Sequence, residues 1–383
     1  MNLILHSPNS QCNLSAHYRR AFKNAIELFI VTAYLTEWDS SLKLRSDCKT
    51  FRLIIGKDFG ITRKEACKVA MRWLPSRKKW QFMVTDQIAG FHPKAVFWRE
   101  ANQRTFAIIG SSNLTNAAFE RNYEANYYCE ISEENYCSAK QWIKQIEKQS
   151  IGVSDDWLKK YKEARPADRQ GLKKSKSKGQ DSVPLIPFTL PNHRESKEQI
   201  KCRRKQLAAH KEKKAELIKL FRRCANGKIT SQEFYSELPI HWSWDVGNRF
   251  QSMGSWERTG RNSNFQQLAQ SFIRILKASD GDRDDVIAEE IDQLHEDHVP
   301  TRGAFLSEML CLQYPQEYPV LNGPVRKYLR TTKFKPPRGA SEGARYIDMA
   351  KKLRFSLLQN PNHPAKNLAE LDTVIWLKYS KKK

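Results

Sequence analysis

Two short segments carry side chains that strands do not ordinarily spend on a buried sheet. FHPKAVFWRE (residues 91–100) holds His92 and Lys94, and AIIGSSNLTNAAFERNYEAN (residues 107–126) holds Ser111, Asn113 and Glu124. An imidazole can act as nucleophile or proton carrier near neutral pH. An ammonium group and a carboxamide can steady negative charge that develops on oxygen. A strand sends alternate side chains to one side, so His92 and Lys94 project together while Pro93 points away, and the proline marks a strand near its start. Gly110 permits close backbone approach at the turn presenting Ser111 and Asn113. NLTNAAF then begins a short helix whose free N–H groups favour an anion. Together these groups describe a phosphate site.

Those residues need a sheet to hold them. ELFIVTAYLT (residues 27–36) is apolar almost throughout, as in a strand buried on both faces. Further strands are expected at 51–60, 80–85, 91–99, 105–110 and 123–131, with helices at 62–74 and 133–148. This is an α/β pattern, a sheet covered by helices. From about residue 164 Lys, Ser, Gly and Pro dominate, and SKEQIKCRRKQLAAHKEKKAELIKLFRRC (residues 196–224) is basic with helical propensity. Beyond residue 229 apolar residues recur at three- and four-residue intervals. The expected division is a catalytic domain at 1–163, a basic, partly helical linker at 164–228, and a mostly α C-terminal domain at 229–383. HWSWDVGNRFQSMGSWERTGRN (residues 241–262) reads equally as a surface that stacks on bases and as an aromatic core corner.

Composition narrows the partners. Lys and Arg number 66 against 42 acidic residues, for a net charge of +24, so the chain gathers anions around itself. Nucleic acid is the leading candidate and an acidic membrane surface the other. The longest apolar run, LFIVTAYL (residues 28–35), is too short to span a bilayer. The start MNLILHSPNS lacks the features of a signal peptide. Eight cysteines fall without a CxxC pair or a Cys/His cluster, which fits reduced thiols in a cytoplasmic protein, with no metal site and no cofactor.

His-x-Lys followed by Gly-Ser-x-Asn resembles the signature of the phospholipase D superfamily, in its nuclease branch, over about the first 150 residues. The resemblance implies a phospholipase D-like sheet flanked by helices. It implies metal-independent phosphodiester cleavage, with His92 as nucleophile, Lys94 and Asn113 on the non-bridging oxygens, Ser111 as a further donor and Glu124 orienting an imidazole. An Asp common in the motif is missing here, where the sequence reads AVFWRE, and the distance from Lys94 to Gly110 suggests a long hairpin around REANQR. The family's chemistry uses two His-x-Lys motifs and this chain has one, so a homodimer sharing one site is expected. The expected substrate is DNA before RNA, in a bacterial restriction or antiviral defence setting where another protein of the system would be a partner. An inactive nucleic-acid-binding regulator and, less well, a phospholipid phosphodiesterase are the alternatives. The region 310–329 faintly resembles a helical module found beside restriction and defence nucleases.

Overall fold

The computed structural model describes residues 2–8, 14–164, 188–250, 257 and 260–380. The chain divides into two compact units, Met1–Ile186 with Lys335–Ala340, and Pro187–Phe334 with Ser341–Lys383.

The first unit is a mixed eight-stranded sheet. Its strands are β1 (Asn2–His6), β2 (Ala25–Thr32), β3 (Thr50–Ile55), β4 (Phe82–Val84), β5 (Lys94–Glu100), β6 (Thr105–Gly110), β7 (Glu124–Ile131) and β8 (Ile151–Gly152). They lie in the order β1-β7-β6-β5-β2-β3-β4-β8. Strands β2, β3 and β4 run parallel, and all other neighbours are antiparallel. Five helices accompany it among the described residues: α1 (Leu14–Asn24), α2 (Lys64–Trp73), α3 (Asn116–Glu120), α4 (Glu133–Glu147) and α5 (Asp155–Lys160).

Alternation along the central strands explains why helices cover both faces. Phe29, Val31, Ala95, Phe97 and Ala107 pack with Tyr136, Ile143 and Ile146 of α4. The residues between them point the other way. There Trp98, Phe106 and Tyr128 stack, with centroids 5.2 Å apart for the first pair and 6.2 Å for the second. From α1, His17 stacks on Tyr128 at 4.1 Å and Arg20 lies over Phe106 while donating twice to Glu100. Each ring pair adds about 0.5–1.5 kcal/mol beyond its buried area.

The six expected strands are all present, with shorter limits. Strand β1 and helix α1 go beyond the expected elements. In β1 Leu3 and Leu5 are exposed while Ile4 and His6 are buried, so apolar residues occupy both faces of this edge strand. The hairpin between β5 and β6 is short, contrary to the long one expected. Arg99 pairs with Thr105 and only residues 101–104 turn, with Gln103 at φ 65. The extra length lies in the strands themselves.

The second unit is helical. Its helices are α6 (Ser196–Ala225), α7 (Ser231–His241), α8 (Phe265–Lys277), α9 (Arg283–Glu296), α10 (Ala304–Gln313), α11 (Gly323–Thr331), α12 (Glu342–Leu358) and α13 (Leu368–Tyr379). Side-chain caps start many of them, including a capping box at Thr230 and Glu233 and Asn caps at Asn264, Asn322 and Asn367. Of the stretch read as a basic linker, residues 165–187 lie outside the described residues. From Ser196 it is one 30-residue helix that packs on α7, α8 and α13 within this unit. Part of the aromatic segment, residues 251–256 and 258–259, also lies outside the described residues. Within the rest, Trp242 is buried and Trp244 is 59% exposed, so that segment supplies both a core ring and a surface one.

Candidate active site

The loop before β5 is anchored by its first residue. Phe91 is buried in the sheet core, and its N–H donates to Asp58 Oδ2 at 3.1 Å. The next residue, His92, is therefore held at the surface. Strand β5 begins two residues later, so Lys94 is its first member and lies beside Thr32 of β2. The Lys94 ammonium is 3.1 Å from His92 Nδ1 and 3.4 Å from Nε2, and it donates to the His92 carbonyl at 3.3 Å. Tyr34 meets the imidazole edge-on, with centroids 5.6 Å apart and planes at 71°.

Strand β6 delivers the second set. A Cβ on Gly110 would lie 2.4 Å from the Ala125 carbonyl oxygen and 2.6 Å from Asn126 Cα. Glycine is thus required where β6 closes against β7. Just past it, the Ser111 N–H donates to the Ala125 carbonyl at 3.0 Å, while its hydroxyl oxygen accepts from the Ala125 N–H at 3.0 Å and donates to Glu124. The other Glu124 oxygen accepts from Asn122 Nδ2 at 3.1 Å. Buried Ser112 and Asn126 brace the same turn, with Asn126 Nδ2 donating to the Ser112 hydroxyl at 2.8 Å.

Asn113 reaches across to the end of β2. Its Oδ1 accepts from the Thr32 hydroxyl at 3.0 Å and from the Tyr34 N–H at 3.3 Å. Those bonds fix the carboxamide plane and leave Nδ2 as a donor. Partial burial lowers the pKa of Lys94 from its ordinary value, and the nearby Glu124 carboxylate offsets part of that shift.

The structure thus brings His92 onto Lys94 and Ser111 onto Glu124, and electrostatics couples the two pairs through Lys94 and Glu124. Within one chain Glu124 bonds Ser111 and Asn122 and makes no hydrogen bond to His92. Helix α3 is only five residues long, and Thr115 caps it by accepting from the Ala118 N–H at 3.2 Å. That cap takes up the Ala118 N–H among the N–H groups expected to favour an anion. Thr32, Tyr34, Asn122 and Asn126 were not singled out from the sequence. Thr32 and Tyr34 fall in ELFIVTAYLT, which was read only as a buried strand, while Asn122 and Asn126 flank Glu124 in NYEAN.

A cavity of about 480 Å³ adjoins the site, lined by Thr36, Glu37, Arg63, Ala117, Arg121 and Asn122. On the opposite sheet face an apolar row stays uncovered. Leu3 pairs with Tyr127 and Tyr127 with Ile109, and Leu3, Leu5 and Ile109 are each more than half exposed. Among the described residues no group of three His, Cys, Asp or Glu is placed to hold a metal ion, and no helix is long and apolar enough to cross a membrane.

A family model described as the NgoFVII restriction endonuclease N-terminal PLD domain matches residues 13–157. Among solved structures, NucT from Helicobacter pylori aligns at 16% identity with a TM-score of 0.30, covering 40% of this chain and 98% of that one. No curated protein matches. The family match spans the whole stretch that builds the site, from the end of β2 to Glu124, and residues 13–157 are similar to the phospholipase D-like domain that forms the N-terminal part of the NgoFVII restriction endonuclease.

Proposed function

We propose that the chain is a nuclease that hydrolyses phosphodiester bonds of nucleic acid, DNA before RNA, at the His92–Lys94 site. The observation that carries this reading is the Lys94 ammonium 3.1 Å from the His92 ring, at the strand end that also holds Asn113 and the Ser111–Glu124 pair. A net charge of +24 favours a polyanionic substrate.

In the first step an imidazole nitrogen of His92 attacks phosphorus, the P–N bond forms and the P–O bond to the leaving group breaks. The leaving oxygen takes a proton from a second imidazole acting as general acid. In the second step that imidazole takes a proton from water, the resulting oxygen attacks phosphorus, and the P–N bond breaks. Lys94 and the Asn113 Nδ2 group face the non-bridging oxygens while charge rearranges. The Ser111 hydroxyl, held by the Ala125 N–H that it accepts from, donates to Glu124 and keeps that carboxylate beside the site.

The second imidazole comes from a second copy of the chain in a homodimer. The observation that supports this is the single His-x-Lys motif, which leaves one chain one imidazole short of the chemistry. In this reading the helical unit serves target recognition or binding of a partner from a restriction or defence system, and the protein works in the cytoplasm.

Cleavage of plasmid DNA in excess EDTA, lost in His92→Ala, tests the proposal. Binding without cleavage would instead identify an inactive regulator. Release of a head group from liposomes would identify a phospholipid phosphodiesterase.

A further inference from the structure

Helix α6 has one meridian that is exposed along its whole length. Steps of three and four residues lead through Lys197, Lys201, Lys205, Lys211, Lys219 and Arg222, all exposed. Arg204 lies beside Lys205 on the same face. The positions between them, Ala208 and Ala215, are also exposed and small. Lys201, Arg204 and Lys219 are partnered, by Glu198, Glu370 and Glu216. Lys197, Lys205, Lys211 and Arg222 have no ion-pair partner among the described residues.

The opposite side of the helix is spent on the core. Ile200, Leu217, Leu220, Phe221 and Cys224 are buried, and Arg203 is clamped by Thr373 at 2.7 Å and Asp372 at 2.9 Å. The helix is therefore rigid before any ligand arrives. Its 30 residues extend over about 45 Å, and successive charges four residues apart lie about 6 Å apart along the axis.

We infer that this face of α6 is a binding surface for a nucleic-acid backbone, formed by the helical unit and separate from the His92 site. The inference rests on the nuclease reading for its choice of polyanion. A row of fixed cations more than one duplex turn long neutralises phosphates and releases counterions without reading bases. Ala208 and Ala215 let the helix approach closely where no charge is needed. An anionic membrane is the poorer fit. A helix lying in a bilayer surface inserts an apolar face, and here that face is already packed inside the unit.

The test uses full-length protein carrying His92→Ala, so that the probe is not consumed. Fluorescence anisotropy with a labelled DNA duplex about three helical turns long is followed across a salt series. A four-site variant, with Lys197, Lys205, Lys211 and Arg222 changed to Ala, keeps helix propensity. It should bind more weakly, with a salt slope shallower by about 0.9 for each phosphate that is no longer neutralised. A control removes four exposed lysines elsewhere in the unit, Lys277, Lys327, Lys333 and Lys378, and should leave the slope unchanged. Wild-type slope in the first variant, or equal weakening in both, overturns the inference. So does tighter binding to phosphatidylserine vesicles than to the duplex. Loss of cleavage in His92→Ala judges the nuclease reading separately, because hydrolysis and backbone binding are read by different assays.

Discussion

Removing the Lys94 ammonium should separate catalysis from folding. Lys94 is half-buried, and its hydrogen bonds go to the ring and carbonyl of exposed His92. Bonds of that kind contribute at most about 1 kcal/mol to stability, so Lys94→Ala should fold and melt much like the parent. In the transition state the same group faces charge moving onto phosphoryl oxygen, where one lost donor costs about 3–4 kcal/mol, or about 100- to 1,000-fold in kcat. The pH profile sharpens the argument. The ammonium is the working form, so the contribution of Lys94 is complete below its pKa and falls as pH rises through it. Because burial lowers that pKa, the alkaline decline should begin below the ordinary lysine value. Lys94→Arg keeps a charge that does not titrate and should remove the Lys94 part of the decline, leaving that of the general-acid imidazole, even at a lower absolute rate. Glu124→Gln removes the offsetting carboxylate and should move the decline to lower pH. Initial rates on bis(4-nitrophenyl) phosphate and on duplex DNA, from about pH 6 to about pH 10, measure all three variants. An unchanged alkaline limb in Lys94→Arg, or Lys94→Ala turnover within about tenfold of the parent, would refute the assignment.

Three other outcomes are expected. Mixing wild type with a threefold excess of His92→Ala, after subunit exchange, should lower activity per wild-type chain to about one quarter, because only homogeneous wild-type dimers would work; unchanged activity per wild-type chain would sink the shared site. Gly110→Ala should destabilise the sheet unit by about 3 kcal/mol, since its Cβ would overlap the backbone of Ala125 and Asn126, and a thermal melt at the parent's midpoint would contradict that geometry. In the helical unit, burial pushes the Glu308 carboxyl from 4.5 up to about 7. A raised carboxyl pKa gives stability that is present at low pH and lost as pH rises, here by about 3 kcal/mol between pH 4.5 and 7. Glu308→Gln should flatten that dependence and make the unit more stable than wild type above neutrality, as followed by urea unfolding.

What the sequence revealed depended on whether the signal was local. His92, Lys94, Ser111 and Asn113 stood out because polar side chains at the ends of apolar runs are visible within ten residues. Their bracing was not visible. Thr32 and Tyr34 reach Asn113 across 79 to 81 residues of chain, and nothing near residue 32 announces that pairing. Glu124 was singled out, but the resemblance pointed it at an imidazole, whereas within the chain it holds Ser111. In α6 the charge and helical propensity were plain. The apolar stripe was harder to see, because Leu217, Leu220 and Phe221 cluster at one end while Arg203 and His210 occupy buried positions along the rest.

Strand β1 has a consequence for the order of events during synthesis. Its partner β7 ends at Ile131, so His6 and Ile131 leave the ribosome about 6–25 s apart at ordinary elongation rates of 5–20 residues per second. Through that interval the first strand has no sheet edge to join. The whole set from His92 to Glu124 also emerges late, and Gly110 cannot close on β7 until Asn126 has appeared. Under the nuclease reading, a nascent chain should be inert toward phosphodiesters until its sheet is nearly finished. Translation that stops before about residue 126 should release fragments harmless to the host's own nucleic acid.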